Sequence, residues 1–166
     1  MLDPGGGNGK GPGGDGRPAP TSLDGFDGVV SLGALSGVAD DHGWTRAERA
    51  LLEEALDRGL PVLGVCFGAQ LLAAAAGGTP RPGAATEVGW CPVALEPPAY
   101  DDPLLHGVAE TFLAYQYHYD TFDRPGSATV LARNGEVVEA FRVGERAWGL
   151  QFHVEATPAN RALAVF

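Results

Sequence analysis

One apolar stretch, "LPVLGVCFGAQLLAAAAGG" (60–78), constrains the fold more than any other part of the sequence. Residues 61–65 show no polar alternation, which is typical of a strand buried on both faces of a parallel sheet. The residues after Gly68 are strong helix formers, and they end at two glycines. A buried strand that leads directly into a helix predicts an α/β fold.

Cys66 lies at the junction between this strand and helix. The surrounding "GVCFG" (64–68) has the Gly-x-nucleophile-x-Gly pattern of a nucleophile elbow, in which glycines let neighbouring backbone approach closely. A helix N-terminus favours the thiolate, so the position predicts a lowered pKa for Cys66, and the N–H of Phe67 is predicted to stabilise an oxyanion. Cysteine is also a common buried residue, but the paired glycines favour the nucleophile. Cys91 has no such context and is predicted to be structural.

A cysteine nucleophile needs a base and a group that orients the base. In "LQFHVE", alternate residues of a strand place Gln151, His153 and Glu155 on one side. A carboxylate beside an imidazole fixes its tautomer and supports its charged form. We therefore predict a triad of Cys66, His153 and Glu155.

The rest of the chain continues the α/β pattern and then changes character. The segment "FDGVVSLGAL" (26–35) predicts a strand that ends in a small-residue loop. "TRAERALLEEALDRGLP" predicts a helix with a capping box of Thr45 and Glu48 and an end at Gly59. The second half consists of short β-rich segments, with a hairpin predicted around "RVGER". A last helix is predicted to begin at Thr157.

Composition limits the classes of partner. The net charge of −10 argues against binding to nucleic acid or to an anionic membrane, both of which need a basic patch. No stretch approaches the roughly 20 apolar residues of a membrane span. Two cysteines and the lack of a secretory signal predict a cytoplasmic protein with reduced thiols. Residues 1–22, rich in Gly and Pro, are predicted to be disordered, and residues 23–166 to form one domain.

Three motifs together resemble the class I glutamine amidotransferase domain: "GLPVLGVCFGAQLLAAAAGG", "HYDTF" and "GLQFHVE", in the family's order, with similarity from about Leu23 to the end. The resemblance implies a flavodoxin-like α/β fold, a three-layer sandwich with a mostly parallel central sheet and here a β-rich second half. It implies that Cys66 attacks the side-chain amide of glutamine and that His153 passes a proton to departing ammonia. Glu155 would orient His153, and a glutamyl thioester would be hydrolysed. No metal or organic cofactor is implied.

The resemblance extends to three further positions. Gln70 matches a residue of the family's glutamine pocket, or is an ordinary polar residue of a helix's first turn. "QYHYDTF" resembles a loop, "HGDTF", that borders the active site of stand-alone members. His118 and Asp120 would therefore contact substrate or hydrogen-bond the loop. The spacing of His118, Asp120 and His153 does not resemble a closed set of metal ligands.

Two departures from the family pattern bear on activity. The family's oxyanion loop reads Gly-Gly-Pro or Gly-Gly-Met, whereas this chain has Gly33-Ala34-Leu35. Ala34 keeps its N–H, but a positive φ there would cost roughly 1–2 kcal/mol. The Gly/Pro-rich segment also stands where family members have a first strand and helix, so we expect a domain that is incomplete at both ends.

Three functions follow as alternatives. The first is a glutaminase that releases ammonia for an unidentified acceptor, free-standing or together with a separate synthetase subunit. The second is a hydrolase of γ-glutamyl peptides or amides with the same triad. The third is a catalytically impaired relative that acts as a binding module. Turnover of glutamine and of γ-glutamyl amides, measured side by side, separates the first two.

Overall fold

The computed structural model describes residues 20–40 and 42–157. Most of the segment predicted to be disordered, residues 1–19, lies outside this part of the chain. The helix predicted to follow Thr157 lies outside it as well.

The described strands form one mixed seven-stranded sheet, ordered β1-β2-β7-β6-β5-β3-β4. Only the β1–β2 and β2–β7 contacts are parallel, and the other four are antiparallel. The expected mostly parallel sheet is thus found at one end only, because the second half of the chain folds back on itself as antiparallel strands. The strands are β1 Val29–Ser31, β2 Val62–Val65, β3 Thr79–Leu95, β4 Thr111–Asp123, β5 Ala128–Asn134, β6 Val137–Val143 and β7 Ala147–Leu150.

Both α-helices, α1 (Gly43–Arg58) and α2 (Phe67–Ala75), pack on the same face of the sheet around one apolar cluster that includes Leu52 and Phe141. A second cluster covers the other face, where the 3-10 turn Pro97–Asp101 and the turns after it lie. The α/β class is confirmed. A flavodoxin-like sandwich has a helical layer on each face of the sheet. The described residues contain α-helices on one face only.

The second face is held by a buried carboxylate that sequence reasoning missed. Asp102 is 1% exposed and accepts hydrogen bonds from the Trp148 indole at 2.9 Å and from Arg142 Nε at 2.8 Å. The N–H of Leu104 donates to the same carboxylate at 2.9 Å. These contacts attach the segment after the 3-10 turn to β6 and β7.

The start of α1 differs from the predicted capping box. The N-cap residue is His42, and Thr45 lies inside the helix, where its hydroxyl donates to the carbonyl of His42 at 2.7 Å. Glu48 instead accepts a hydrogen bond of 2.6 Å from the hydroxyl of Ser31, at the end of β1. The predicted C-terminus is confirmed, since Gly59 adopts a left-handed conformation with φ of 64°.

Strands β3 and β4 form a long ribbon, and "HYDTF" is part of β4 rather than a loop. Residues 79–82 pair with residues 120–123, and the register shifts between Pro82 and Glu87. Pro80 and Pro82 lie in this part of β3, and because proline is uncommon in strands the sequence did not indicate a strand here. They are tolerated because only β4 pairs with this part of β3, so a missing N–H can face away from the ladder.

The hairpin predicted around "RVGER" is confirmed. Val143 pairs with Ala147 across a turn in which Gly144 has φ of 58°. Among the described helices, none is long and apolar enough to cross a membrane.

Candidate active site

Three adjacent parallel strands bring the predicted residues to one edge of the sheet. Gly33 follows β1 by two residues, Cys66 follows β2 directly, and His153 follows β7 by three. The carboxyl ends of parallel strands meet at a common edge, where ligands of α/β folds bind. A methyl group placed on Cα of Gly33 would lie 3.2 Å from Cε1 of His153 and 3.7 Å from Cβ of Cys66. All three residues therefore surround one small space.

The strand-turn-helix elbow predicted around Cys66 is present. Cys66 has φ of 54° and ψ of −110°, and it is the one non-glycine residue with positive φ in the described chain. A Cβ on Gly64 would lie 2.5 Å from the carbonyl oxygen of Gly68, and a Cβ on Gly68 would lie 2.1 Å from that of Ser31. Neither position can hold a side chain without moving backbone. The strain at Cys66, of order 1–3 kcal/mol, is maintained by this close packing.

The thiol of Cys66 is buried, and its pKa moves in the opposite direction to the prediction. Burial raises the pKa of Cys66 to about 11, and this outweighs the backbone N–H of Phe67, which lowers it. Sγ donates a weak hydrogen bond of 3.8 Å to the carbonyl of Tyr117. The predicted thiolate at the helix N-terminus is therefore wrong for the unliganded site, because desolvation exceeds the effect of the helix end.

His153 and Glu155 form the predicted carboxylate–imidazole pair. Nδ1 of His153 lies 2.6 Å from Oε1 of Glu155. The backbone N–H of His153 donates to the carbonyl of Tyr115 at 2.9 Å, which fixes the segment beyond β7. Nε2 of His153 is buried and has no hydrogen-bond partner within residues 20–40 and 42–157. With Nδ1 bonded to a carboxylate, Nε2 is the nitrogen left to exchange a proton.

The loop predicted to supply oxyanion donors lies beside the elbow. Gly33 is adjacent to Cys66 and His153, as described above, and Ala34 lines a cavity that also contains Cys66. Ala34 is not among the residues with positive φ, so the backbone strain considered for alanine does not arise. The N–H of Phe67 faces the sulfur of Cys66.

A cavity of about 210 Å³ opens at this edge of the sheet. Residues 34–37 form one wall and residues 117–120 the other, with Cys66 and Gln70 between them. Gln70 is 4% exposed and donates to the carbonyl of Asp120 at 2.9 Å and to Oε1 of Gln151 at 3.3 Å. The volume is below the roughly 300–1,000 Å³ typical of drug-sized ligands, so the cavity suits a ligand the size of an amino acid.

His118 lies in the wall of the cavity, and each of its ring nitrogens lies close to a protein oxygen. Nδ1 lies 3.1 Å from the carbonyl of Asp120, and Nε2 lies 3.2 Å from Oε1 of Gln116. Burial lowers the pKa of His118 more than the nearby carboxylate of Glu87 raises it. Of the two predicted roles, these contacts favour the one in which His118 holds the backbone at Asp120.

A buried polar cluster behind the cavity was missed by sequence reasoning. Gln116, Glu139 and Gln151 are all 0% exposed. Gln116 donates to Oε2 of Glu139 at 2.8 Å, and burial raises the pKa of Glu139 to about 7. The sequence did contain a signal for this cluster: a charged or amide residue stands inside an otherwise apolar strand in "VVEAFRV" and in "GLQFHV". Such residues are seldom buried without a partner, so each indicates a buried polar contact.

The sequence of the chain is similar to those of known proteins. The family model described as "Glutamine amidotransferase class-I" matches residues 20–166. A GMP synthase [glutamine-hydrolyzing] of Porphyromonas gingivalis is 37% identical over 139 residues, which cover 82% of this chain and 26% of that protein. A gamma-glutamyl-L-1-hydroxyisopropylamide hydrolase of Pseudomonas sp is 29% identical, with coverage of 84% and 50%. The chain thus spans half or less of the length of these relatives.

Solved structures share the fold. A glutamine amido transferase from Methylobacillus flagellatus superposes with a TM-score of 0.77 at 28% identity, covering 84% of this chain and 56% of that one. A putative GMP synthase subunit from Thermoplasma acidophilum superposes with a TM-score of 0.70 at 25% identity, covering 84% and 69%.

Proposed function

The chain belongs to the class-I glutamine amidotransferase family, and on that basis we propose that it hydrolyses the side-chain amide of glutamine through Cys66, His153 and Glu155. The observation that carries the proposal is the convergence of Gly33, Cys66 and His153 beyond three adjacent parallel strands, with Glu155 bonded to the far side of the imidazole. A strained cysteine near an imidazole that is bonded to a carboxylate supports this proposal.

The first half of the reaction forms a thioester. Sγ of Cys66 attacks the carboxamide carbon while its proton passes to Nε2 of His153, so attack and deprotonation are coupled. A neutral thiol with a pKa of about 11 suits this coupling, because very little thiolate is present at neutral pH. The developing oxyanion is stabilised by the N–H of Phe67 and by the backbone of Gly33 and Ala34. The C–N bond then breaks, and the imidazolium gives its proton to the departing ammonia.

The second half restores the enzyme. Water attacks the thioester carbon, and Nε2 of His153 accepts a proton from it. The C–S bond breaks, glutamate leaves, and the thiol regains its proton from His153. Throughout, the carboxylate of Glu155 holds Nδ1–H and stabilises each imidazolium.

The cavity offers a partner for the charged end of glutamine. The carboxylate of Asp120 faces the 34–37 loop: its Oδ2 lies 3.0 Å from the position of a Cβ on Gly37. There it can pair with the α-ammonium group of the substrate. Gln70 and His118 hold the backbone of Asp120 from the protein side, so their role is to position Asp120.

The ammonia released would serve an acceptor domain or subunit elsewhere. The relatives include a GMP synthase and a putative GMP synthase subunit, and the chain covers only part of each. A synthetase that consumes ammonia is therefore the expected partner.

A γ-glutamyl amide is a second candidate substrate, favoured by the rim of the cavity. Leu35 is 72% exposed and Tyr119 is 59% exposed, and both line the opening. Free glutamine carries no apolar group beyond its amide that this surface could contact. A γ-glutamyl alkylamide carries an alkyl group on the amide nitrogen, and the surface can cover that group. Replacing both by serine should then reduce kcat/KM for a γ-glutamyl alkylamide while leaving that for glutamine nearly unchanged.

Release of ammonia and glutamate from glutamine by the purified protein tests the proposal. Cys66→Ala should abolish release, while Cys91→Ala, which changes the other cysteine, should retain it. Equal release by wild type and Cys66→Ala would contradict the assigned nucleophile.

A further inference from the structure

The polar cluster behind the cavity brings together one imidazole and two carboxylates from three strands. Glu87 on β3 is the cross-strand partner of His118 on β4, and Oε2 of Glu87 lies 3.4 Å from Nε2 of His118. Glu139 comes from β6, which is separated from β3 by β5 in the sheet. Because the sheet is curled, Glu139 nevertheless lies near the other two residues, and ligand atoms of all three lie within 4.8 Å of one another.

Each of the three side chains has a hydrogen-bond contact with a residue outside the cluster. When Nδ1 of His118 donates to the carbonyl of Asp120 at 3.1 Å, Nε2 carries the lone pair. Two oxygens then face this lone pair with no proton between them, Oε1 of Gln116 at 3.2 Å and Oε2 of Glu87 at 3.4 Å. Asn134 donates to Oε1 of Glu87 at 2.6 Å. Metal-binding imidazoles and carboxylates in proteins are oriented by outer contacts of this kind.

Glu139 gives a second, independent observation that points to a cation. It is 0% exposed, its Oε2 accepts from Gln116, and its Oε1 is buried without a hydrogen-bond partner among the described residues. A buried carboxylate oxygen without a donor is costly. The carboxylate of Glu139 also lies within 4.8 Å of a ligand atom of Glu87. A cation would satisfy both.

We propose that Glu87, His118 and Glu139 bind one divalent first-row transition-metal ion, with Zn²⁺ as the representative. A neutral imidazole and two carboxylates balance the charge of such an ion, and a mixed nitrogen and oxygen donor set suits it. The distance of 3.4 Å between Nε2 and Oε2 is about the separation of two ligands that are each roughly 2.0–2.2 Å from a tetrahedral zinc. The amide oxygen of Gln116, 3.2 Å from Nε2, is placed to supply a fourth donor.

The ion has a structural role in this arrangement. It joins the β3–β4 ribbon to β6 directly behind the cavity wall, and it fixes His118, whose Nδ1 holds the backbone of Asp120. The reaction at Cys66 does not pass through it. The site therefore goes beyond the hydrolytic function and can be tested without measuring activity.

Calorimetric titration of the chelator-treated protein with ZnCl₂ tests the site. The Cys66→Ser, Cys91→Ser double variant is used, so that zinc binding by a thiol is removed. We expect one equivalent of Zn²⁺ to bind, and Tm to rise by about 5–10 °C at a 100-fold excess of free ion over its Kd. In the same background, Glu139→Gln and Glu87→Gln should each weaken binding at least about 100-fold, since loss of an outer partner alone costs 10–100-fold.

Two further variants sharpen the result. Asn134→Ala, which removes the outer partner of Glu87, should weaken binding by about 10–100-fold. Glu145→Gln removes an exposed carboxylate in the β6–β7 turn and should leave Kd and the Tm rise unchanged. Absence of zinc binding to the double variant, or binding that Glu87→Gln and Glu139→Gln leave intact, would overturn the proposal. Glu87 is partly exposed, so its variant serves if Glu139→Gln does not fold.

Discussion

The buried thiol of Cys66 predicts an unusual pH profile for its alkylation. Its pKa is raised from 9.0 to about 11, chiefly by burial. At pH 7 the thiolate fraction is then about 100-fold lower than that of an ordinary cysteine, which corresponds to about 2.7 kcal/mol. Since the neutral thiol is favoured, the associated stability is fully present below pH 9 and is lost as the pH rises through 11.

The rate of alkylation by iodoacetamide measures the thiolate directly. In a Cys91→Ser background, we expect the second-order rate at Cys66 to rise about tenfold per pH unit from pH 6 to 10, without a plateau. A cysteine-containing peptide should level off near its own pKa. The slope is the informative quantity, because restricted access lowers the whole curve without changing its shape. His153→Ala should leave the profile unchanged, since the imidazole acts only when substrate is attacked.

A plateau at or below about pH 8 would refute this reasoning. It would mean that Cys66 and His153 form a thiolate–imidazolium pair in the unliganded protein and that the helix N-terminus outweighs burial. A plateau that disappears in His153→Ala would assign the effect to the imidazole specifically.

Three substitutions test the supporting structure. Gly68→Ala places a methyl group against the carbonyl of Ser31 and should lower the free energy of unfolding by about 3 kcal/mol or more in urea titrations. Asp102→Ala removes the acceptor shared by an arginine and an indole, and should cost about 3–5 kcal/mol in the same assay. Glu155→Gln should reduce kcat for glutamine about 10–100-fold without changing Tm, because the half-exposed carboxylate orients His153 but adds little to stability.

The glycine and aspartate substitutions each have a matched control. Gly126→Ala adds a methyl group where no atom lies within 4 Å and should leave stability within about 0.5 kcal/mol. Asp101→Ala changes the exposed neighbour of Asp102 and should be similarly neutral. A Gly68→Ala protein as stable as Gly126→Ala would contradict the close packing assigned to the elbow. Equal kcat in Glu155→Gln and wild type would remove Glu155 from the triad.

The elbow and the His153–Glu155 pair could be predicted because their geometry is local. The glycines around Cys66 are required by contacts within the strand, turn and helix that contain them, and Glu155 is two residues from His153. Such arrangements follow from a few neighbouring residues. The sequence therefore indicated where in the chain the proposed nucleophile and its proposed base lie.

The cluster of Glu87, His118 and Glu139 could not be predicted, because it depends on long-range pairing. Its members meet only after the β3–β4 ribbon has adopted its register and the sheet has curled toward β6. The shift in the pKa of Cys66 was predicted in the wrong direction for a related reason. The helix N-terminus is visible in the sequence, whereas the depth of burial depends on how distant segments cover the thiol.

Trapping of the covalent intermediate tests the central assignment most directly. Protein mixed with glutamine is quenched in acid within a turnover, digested and analysed by mass spectrometry. We predict a glutamyl group on the peptide that contains Cys66, present in wild type and in Cys91→Ala and lost in His153→Ala. A glutamyl group on any other residue, or release of ammonia by a protein that never carries one on Cys66, would contradict the assignment.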